Sequence, residues 1–322
     1  MLLFSSVIPK MYLMLNVNRM RILREVSSRG SIAAAAEALY MTPSAVSQHM
    51  AALSREAGVE LLERSGRSVQ LTSAGKRLVS HTERVLEVLE EAQADLDEIS
   101  HGVAGLLRTC TFPSAARALM MPAISTLHKA HPQLEISMID LEPEESLPLL
   151  KTGEIDIILA YEFDHLPEPK DPGVERHLLL TEPVFIAVPA DHPRALGPIR
   201  IADLADDNWI VGRTHSQLIE VVLSVAHEAG FEPRTDLQSN DIQVILAGVQ
   251  AGLGVALIPP IAVIAEFPGV TFHSPTDVKV TRRIEAVIRR GSHSSPAIAA
   301  ALKALHEAAR DFMTRGGMMR NM

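Results

Sequence analysis

Gly30-Ser31-Ile32-Ala33-Ala34-Ala35-Ala36-Glu37-Ala38-Leu39, then Tyr40-Met41, then Thr42-Pro43-Ser44-Ala45-Val46-Ser47-Gln48, spells a helix, a tight turn and a second helix. Ser31 suits the N-cap of Ile32 to Leu39, an alanine-rich helix whose small side chains let a neighbour approach closely. Thr42 is the next N-cap, and Pro43 takes the first helical position, where a missing N–H breaks no bond. Upstream, Asn18 to Ser28 places Met20, Leu23 and Val26 on one face and arginines on the other, and Gly30 ends that helix.

The helix from Pro43 to Ala57 has two unlike faces. Val46, Met50 and Leu53 fall at i, i+4 and i+7 and point to a core. The opposite face presents Ser44, Gln48 and Arg55, with Ser47 and Ala51 beside them. Short polar residues with one amide and one guanidinium suit base edges in a major groove, because Gln pairs with adenine and Arg with guanine. On its own such a face equally fits solvent in a small bundle. Downstream, Val69 and Leu71 alternate with Ser68, Gln70 and Thr72 after the turn residue Gly66, which predicts a small β-hairpin. Arg64 and Arg67 near its tip would meet phosphates or a minor groove.

The net charge of −9 over 322 residues argues against nucleic acid until it is located along the chain. Between Asn16 and Arg84 ten Arg and Lys stand against six Glu, a local net of +4. Val85 to Ser100 holds six acids and no base, and the rest of the acidity is spread over the body. A basic head on an acidic body is therefore compatible with DNA. A single cysteine, Cys110, excludes a disulfide framework and a thiolate metal site. No run approaches the roughly 18 apolar residues of a membrane span, and a cytoplasmic, non-membrane protein is expected. Residues 1–14 are too short and interrupted for a signal peptide's apolar core, and are expected to be a disordered leader or a misassigned start.

From Ser73 to about Ser100 one long helix is predicted. Leu78, Thr82, Val85, Leu89, Ala92, Leu96 and Ile99 recur at spacings of 4 and 3, a heptad seam. A second copy of the same helix is its simplest cover, which makes Leu78, Val85, Leu89, Leu96 and Ile99 the candidate dimerisation residues. A helix packed on its own body is the other reading of that stripe.

After the hinge His101 to Gly105, strands and helices alternate as in an α/β sheet: strand Leu106 to Phe112, helix Ser114 to Ala130, strand Leu134 to Leu141, helix Glu144 to Lys151 and strand Ile155 to Tyr161. A second α/β set follows a Pro-rich connection, and the chain then returns with strand Ile284 to Ile288 and helix Pro296 to Phe312. The fold class expected is α/β: a winged helix-turn-helix at 15–72, a linker helix and hinge at 73–104, and a two-lobed domain at 105–312 followed by a tail. Lobe 1 takes about 105–161 and 268–312, lobe 2 about 162–267.

The ordered elements Gly30 to Leu39, Thr42 to Gln48, and Glu63-Arg64 through Leu71-Thr72-Ser73-Ala74-Gly75 resemble the DNA-binding domain of LysR-type transcriptional regulators. It departs from that pattern at Ser44, Leu62 and Ser54-Arg55, changes that bear on the operator sequence rather than the fold. Phe112-Pro113-Ser114, Pro143 to Leu147, Gly153-Glu154-Ile155-Asp156, Pro189 to Pro193 and Gly248 to Pro259 resemble the effector-binding domain of the same family, which is similar in fold to type 2 periplasmic binding proteins. The resemblance spans about residues 16 to 312. It implies a regulator that binds an inverted-repeat operator in double-stranded DNA as a dimer or tetramer. A small-molecule effector and RNA polymerase are the further partners implied, with no metal and no cofactor. DNA contact falls on Ser31, Thr42, Pro43, Ser44, Ser47, Gln48, Arg55, Arg64 and Arg67.

Ligands of such sheets bind beyond the carboxyl ends of the strands, often at a helix N-terminus. That rule selects Ser114, Pro143, Glu144 and Tyr161 in the first lobe, and Thr214 and Asn240 across the cleft. Arg213 beside Thr214 suits a carboxylate, whereas Glu144 suits a cationic or hydroxyl group, which leaves the sign of the ligand open. An aromatic content of 4% argues against a pocket of stacked rings. No catalytic residue is assigned. His227-Glu228 and His306-Glu307 lack the second histidine of a zincin, and Gly252-Leu253-Gly254 lacks the third glycine of a dinucleotide site. The competing class is a two-lobed binding protein or enzyme with a non-DNA helical module. It would need an export signal or a converging acid/base set, and neither stands out.

Overall fold

The computed structural model describes residues 14–65, 68–101, 103–166, 171–213, 216–263 and 267–315. The leader, most of the tail, Arg67 and Thr214 lie outside the described residues, as do the side chains of Arg64 and Ile99. Two compact units are present, Met1–Glu90 and Glu91–Met322.

In the first unit, α1 (Val17–Arg29), α2 (Ile32–Ala38) and α3 (Pro43–Ala57) are followed by the hairpin β1 (Leu62–Ser65) and β2 (Ser68–Leu71) and by the part of α4 (Ser73–His101) up to Glu90. The helix ends follow from the residues there. Asn16, Ser31 and Thr42 each accept a first-turn N–H through the side chain, and Gly30 and Gly58 close α1 and α3 at φ near 70°. Such caps contribute about 1 kcal/mol each. Leu23, Ala35, Ala36, Val46 and Leu53 are completely buried at the centre of the three helices. β1 and β2 pair antiparallel, with Leu62 opposite Leu71 and Ser65 opposite Ser68.

Gly75 lets α4 lie on the chain entering the hairpin. A Cβ at this position would stand 2.2 Å from the Leu61 carbonyl oxygen, which is backbone and cannot step aside. Gly75→Ala is expected to destabilise the head by about 1–3 kcal/mol; an unchanged urea midpoint would show that α4 can lift without cost.

The start of α4 corrects the seam expected from the heptads. Leu78 packs into the head's own core, and Thr82 is buried with its hydroxyl donating to the Leu78 carbonyl at 2.8 Å. Leu86, which is off the seam, is buried too. Leu78 therefore belongs to the head's core. Val85, Leu89 and Leu96 remain exposed, as does Val88.

In the second unit, β3 (Gly105–Thr111) leads into α5 (Pro113–Ala115), a π-helical turn (Ala116–Met120) and α6 (Met121–Ala130). The predicted single helix is interrupted because Pro122 has no N–H for the Ala118 carbonyl and its ring crowds that group. Then come β4 (Leu134–Asp140), α7 (Pro143–Thr152), β5 (Ile157–Phe163) and β6 (Val174–Pro183). The second lobe comprises β7 (Phe185–Pro189), β8 (Asn208–Val211), α8 (Gln217–Glu228), β9 (Arg234–Gln238), α9 (Ile242–Gln250), β10 (Ala256–Ile258) and β11 (Val270–His273). The chain returns through β12 (Thr281–Arg289) and α10 (Pro296–Arg315), and α10 packs on α6.

The five-stranded sheet runs β4-β3-β5-β12-β6. β3 is parallel to β4 and β5, while β12 is antiparallel to both its neighbours. β7 pairs with β10 and β11, and β8 pairs with β9 and touches Val255 through a bridge at Trp209. The lobe boundaries therefore differ from those expected. β6 belongs to the first lobe rather than the second, and β11 to the second rather than the first. The crossings lie between β6 and β7 and between β11 and β12, where the Val184 N–H donates to the Val280 carbonyl at 2.9 Å.

Candidate functional site

Two surfaces carry the sequence-selected residues. On α3, Thr42, Pro43, Ser44, Ser47, Gln48, Ala51 and Arg55 are all exposed, while Val46, Met50 and Leu53 are buried. The recognition face and the core face thus separate as the 100° period demands. Ser31 and Thr42 direct their hydroxyl oxygens to the Ala34 and Ala45 N–H groups at 3.1 and 3.2 Å. Both therefore act first as caps, which fixes the entry of α2 and α3.

The second surface is a cleft between the lobes of the second unit, with a cavity of about 60 Å³. Its floor is built on β12. Arg282 is 4% exposed and clamps Glu182 through Nε and Nη2 at 3.0 and 2.7 Å. The other Glu182 oxygen accepts the Ile261 N–H at 2.8 Å, so this pair ties the crossing strands to the second lobe. The guanidinium also lies 5.4 and 5.0 Å from the ring centres of Phe112 and Tyr161. Phe112, Tyr161 and Phe163 meet edge to face at 4.7 and 5.7 Å, and all three line the cavity. The low aromatic content misled on this point, because a composition average hides three rings gathered at the ends of two neighbouring strands.

Ser114, Tyr161 and Asn240 line the cavity as expected from the strand-end rule. Asn240 also accepts the Arg213 N–H at 2.8 Å through Oδ1. Arg213 is exposed and outside the lining. Pro143 is buried in the first turn of α7. Glu144 does not line the cavity; its Oε1 accepts the Gln217 N–H at the start of α8, 3.3 Å away, and so bridges the lobes. The first-lobe carboxyl group that does line the cavity is Glu142, which receives the Tyr161 hydroxyl hydrogen bond at 3.0 Å; Asp241 lines it from the second lobe.

Residues that sequence reasoning missed are Glu142, Arg282, Ser216 and Arg117. Arg282 had a signal: Ile284, Ala286 and Ile288 face inward, and period two carries that face back to 282. Burial pushes the Glu142 carboxyl above its ordinary range, against the pull of Tyr161 and Arg282. A raised folded-state pKa favours the fold fully below the ordinary glutamate range, and that contribution fades as pH rises through the raised value. Glu142→Gln, which mimics the protonated form, is expected to melt higher than the parent at neutral pH. The gap should close in acid; a gap independent of pH would contradict it. Burial also pushes the Cys110 thiol up to about 11, in keeping with a core cysteine. Among the described residues no group of three His, Cys, Asp or Glu could hold a metal ion, and no helix is long and apolar enough to cross a membrane.

Residues 17–76 match the model for the bacterial regulatory helix-turn-helix protein of the lysR family, and residues 100–310 match the LysR substrate binding domain. The chain belongs to the LysR family of bacterial transcriptional regulators. Transcriptional dual regulator GltC of Bacillus subtilis (strain 168) is 26% identical over 277 residues, 85% of this chain and 91% of that protein. A mutant of OxyR from Corynebacterium glutamicum superposes with a TM-score of 0.58 at 22% identity, covering 95% of both chains. Full-length CbnR complexed with its target DNA gives a TM-score of 0.53 at 22% identity over 91% of this chain and 99% of that one. At those identities the two structures establish the shared fold of this LysR protein.

Proposed function

We propose that this regulator binds a double-stranded operator as a homodimer or tetramer, and that a small molecule in the interlobe cleft controls that binding. The observation that carries the DNA reading is the exposed Ser44, Ser47, Gln48 and Arg55 face on a helix whose other face is buried. Gln48 and Arg55 suit base edges, while Thr42, Pro43 and the Ser31 turn suit backbone contacts, and by residue type Arg64 and Arg67 suit phosphates or a minor groove. A head of net +4 gives modest electrostatic affinity, so two heads presented together supply most of it.

Effector control is supported by the cleft's construction: polar groups from both lobes converge on a cavity beside the crossing strands. A ligand that fits one lobe arrangement better than another shifts the population of that arrangement. Gln48→Ala is expected to cost about 1–3 kcal/mol of operator binding at one base position, leaving binding to unrelated duplex unchanged. Titration by fluorescence anisotropy reads both; an unaltered sequence preference would remove Gln48 from the reading face.

A further inference from the structure

We propose that Tyr40, in the turn between α2 and α3, is a further DNA contact of the head, its phenol hydroxyl donating a hydrogen bond to a backbone phosphate on the wall of the major groove. The inference rests on the major-groove placement of α3 proposed above and adds a residue which that placement leaves unused.

The backbone singles Tyr40 out. Its φ is 51°, and it is the one non-glycine residue among those described in the left-handed region. A Cβ there crowds the following carbonyl oxygen, a cost that glycine escapes. The turn is nevertheless locked, because the Tyr40 N–H donates to the Glu37 carbonyl at 3.1 Å and the Met41 N–H to the Ala36 carbonyl at 2.8 Å. α1, α3 and α7 each close on a left-handed glycine, Gly30, Gly58 and Gly153, as helices commonly do. Only α2 closes through a tyrosine.

The side chain adds nothing to the head's own packing. Leu39 and Met41 on either side pack against the head's core, whereas Tyr40 is 66% exposed. Its hydroxyl has no hydrogen-bond partner among the described residues, unlike that of Tyr161, which donates to Glu142. A ring with a polar tip, held in water at a backbone cost, is suited to a partner outside the fold.

Position supplies that partner. Thr42, Pro43 and Ser44 are all exposed, so open surface runs from the turn onto the reading face of α3. Four residues of chain, the separation of Tyr40 from Ser44, span at most about 14 Å, and the major groove is about 12 Å wide. With Ser44 and Gln48 over base edges, a side chain standing out at Tyr40 meets the groove's wall. That wall is sugar and phosphate, to which a tyrosine hydroxyl can donate.

The test is fluorescence-anisotropy titration of the full-length protein, over a series of salt concentrations, with a duplex enriched from a random pool and an unrelated duplex of equal length. Tyr40→Phe keeps the ring and loses only the hydroxyl, and it should bind both duplexes about tenfold more weakly. The salt slope should stay that of the parent, because a neutral phenol releases no counterion. Tyr40→Gly should lose at least as much on DNA while melting no lower than the parent, since the backbone is relieved and no packing is removed. If no sequence is enriched, the unrelated duplex alone carries the test, because a phosphate contact does not depend on sequence. Parent-like binding by Tyr40→Phe, a loss confined to the enriched duplex, a flattened salt slope, or a lower-melting Tyr40→Gly would each overturn the phosphate contact. The α3 placement fails by a different result, namely a Gln48→Ala protein whose sequence preference is unaltered, whatever the Tyr40 variants do.

Discussion

Replacing Leu89 and Leu96 together with aspartate is expected to yield a monomer by light scattering and to weaken operator binding by about 10²–10⁴-fold. Both side chains sit on α4, 44% and 60% exposed, with Val85 and Val88 nearby and also exposed. Burying a leucine contributes about 1.5–3 kcal/mol, so a paired seam offers several such contributions, all lost when charges are introduced. The variant should fold, because neither leucine is in the head core or the lobe core. The loss on DNA follows from valency: a single head of net +4 loses its tethered neighbour, and with it the effective concentration at the second half-site. Dimers that persist with both aspartates would assign self-association to another surface.

Arg282→Ala is expected to lower the melting temperature of the second unit by about 6–20 °C, from a cost of about 3–5 kcal/mol. The Arg282 and Glu182 side chains are only 5% and 6% exposed, so truncating the arginine leaves a buried carboxylate without its countercharge. The remaining oxygen contact, from the Ile261 N–H, is too little to hold that charge. Glu182→Gln combined with Arg282→Met should recover most of the loss, since the Gln oxygen still serves Ile261 and no charge remains. A single variant that melts within about 2 °C of the parent, below what 1 kcal/mol would produce, would mean that water reaches the pair.

How much of this was legible in the sequence depends on the range of the interactions concerned. The head was readable almost residue by residue, because Ser31, Thr42, Pro43 and the two capping glycines act within a turn of their own position. α3 ends where Gly58 says it should. The seam on α4 was readable as a stripe, but Leu78's partner is the head's own core, a tertiary fact no heptad encodes. β6 was missed because its pairing with β12 shifts register between Ile284 and Glu285. That bulge breaks the alternation through Leu178, Leu179 and Leu180 and hid the strand. The lobe boundaries moved with it.

At the cleft, the strand-end rule selects Ser114, Tyr161 and Asn240, which line the cavity, and Glu144, which does not, whereas Glu142 two residues earlier does. Glu142 is the extended residue before α7, whereas Glu144 is already in its first turn, and two residues of helix turn a side chain by about 200°. Arg282 was passed over because arginine is ordinarily a surface residue, although the inward phase of β12 points to it. Ser216 gave no sequence signal beyond its type. Only the absence of its cap bond, seen in three dimensions, sets it apart from Ser31.

Selection of duplexes from a random pool by the full-length protein tests most directly the claim that two copies of α3 read DNA together. Enrichment of an inverted repeat with half-sites separated by one helical turn or a multiple of it is expected, with a Gln48→Ala pool that relaxes at one position in each half-site. Enrichment of an unrepeated single site, or of no sequence at all, would contradict it.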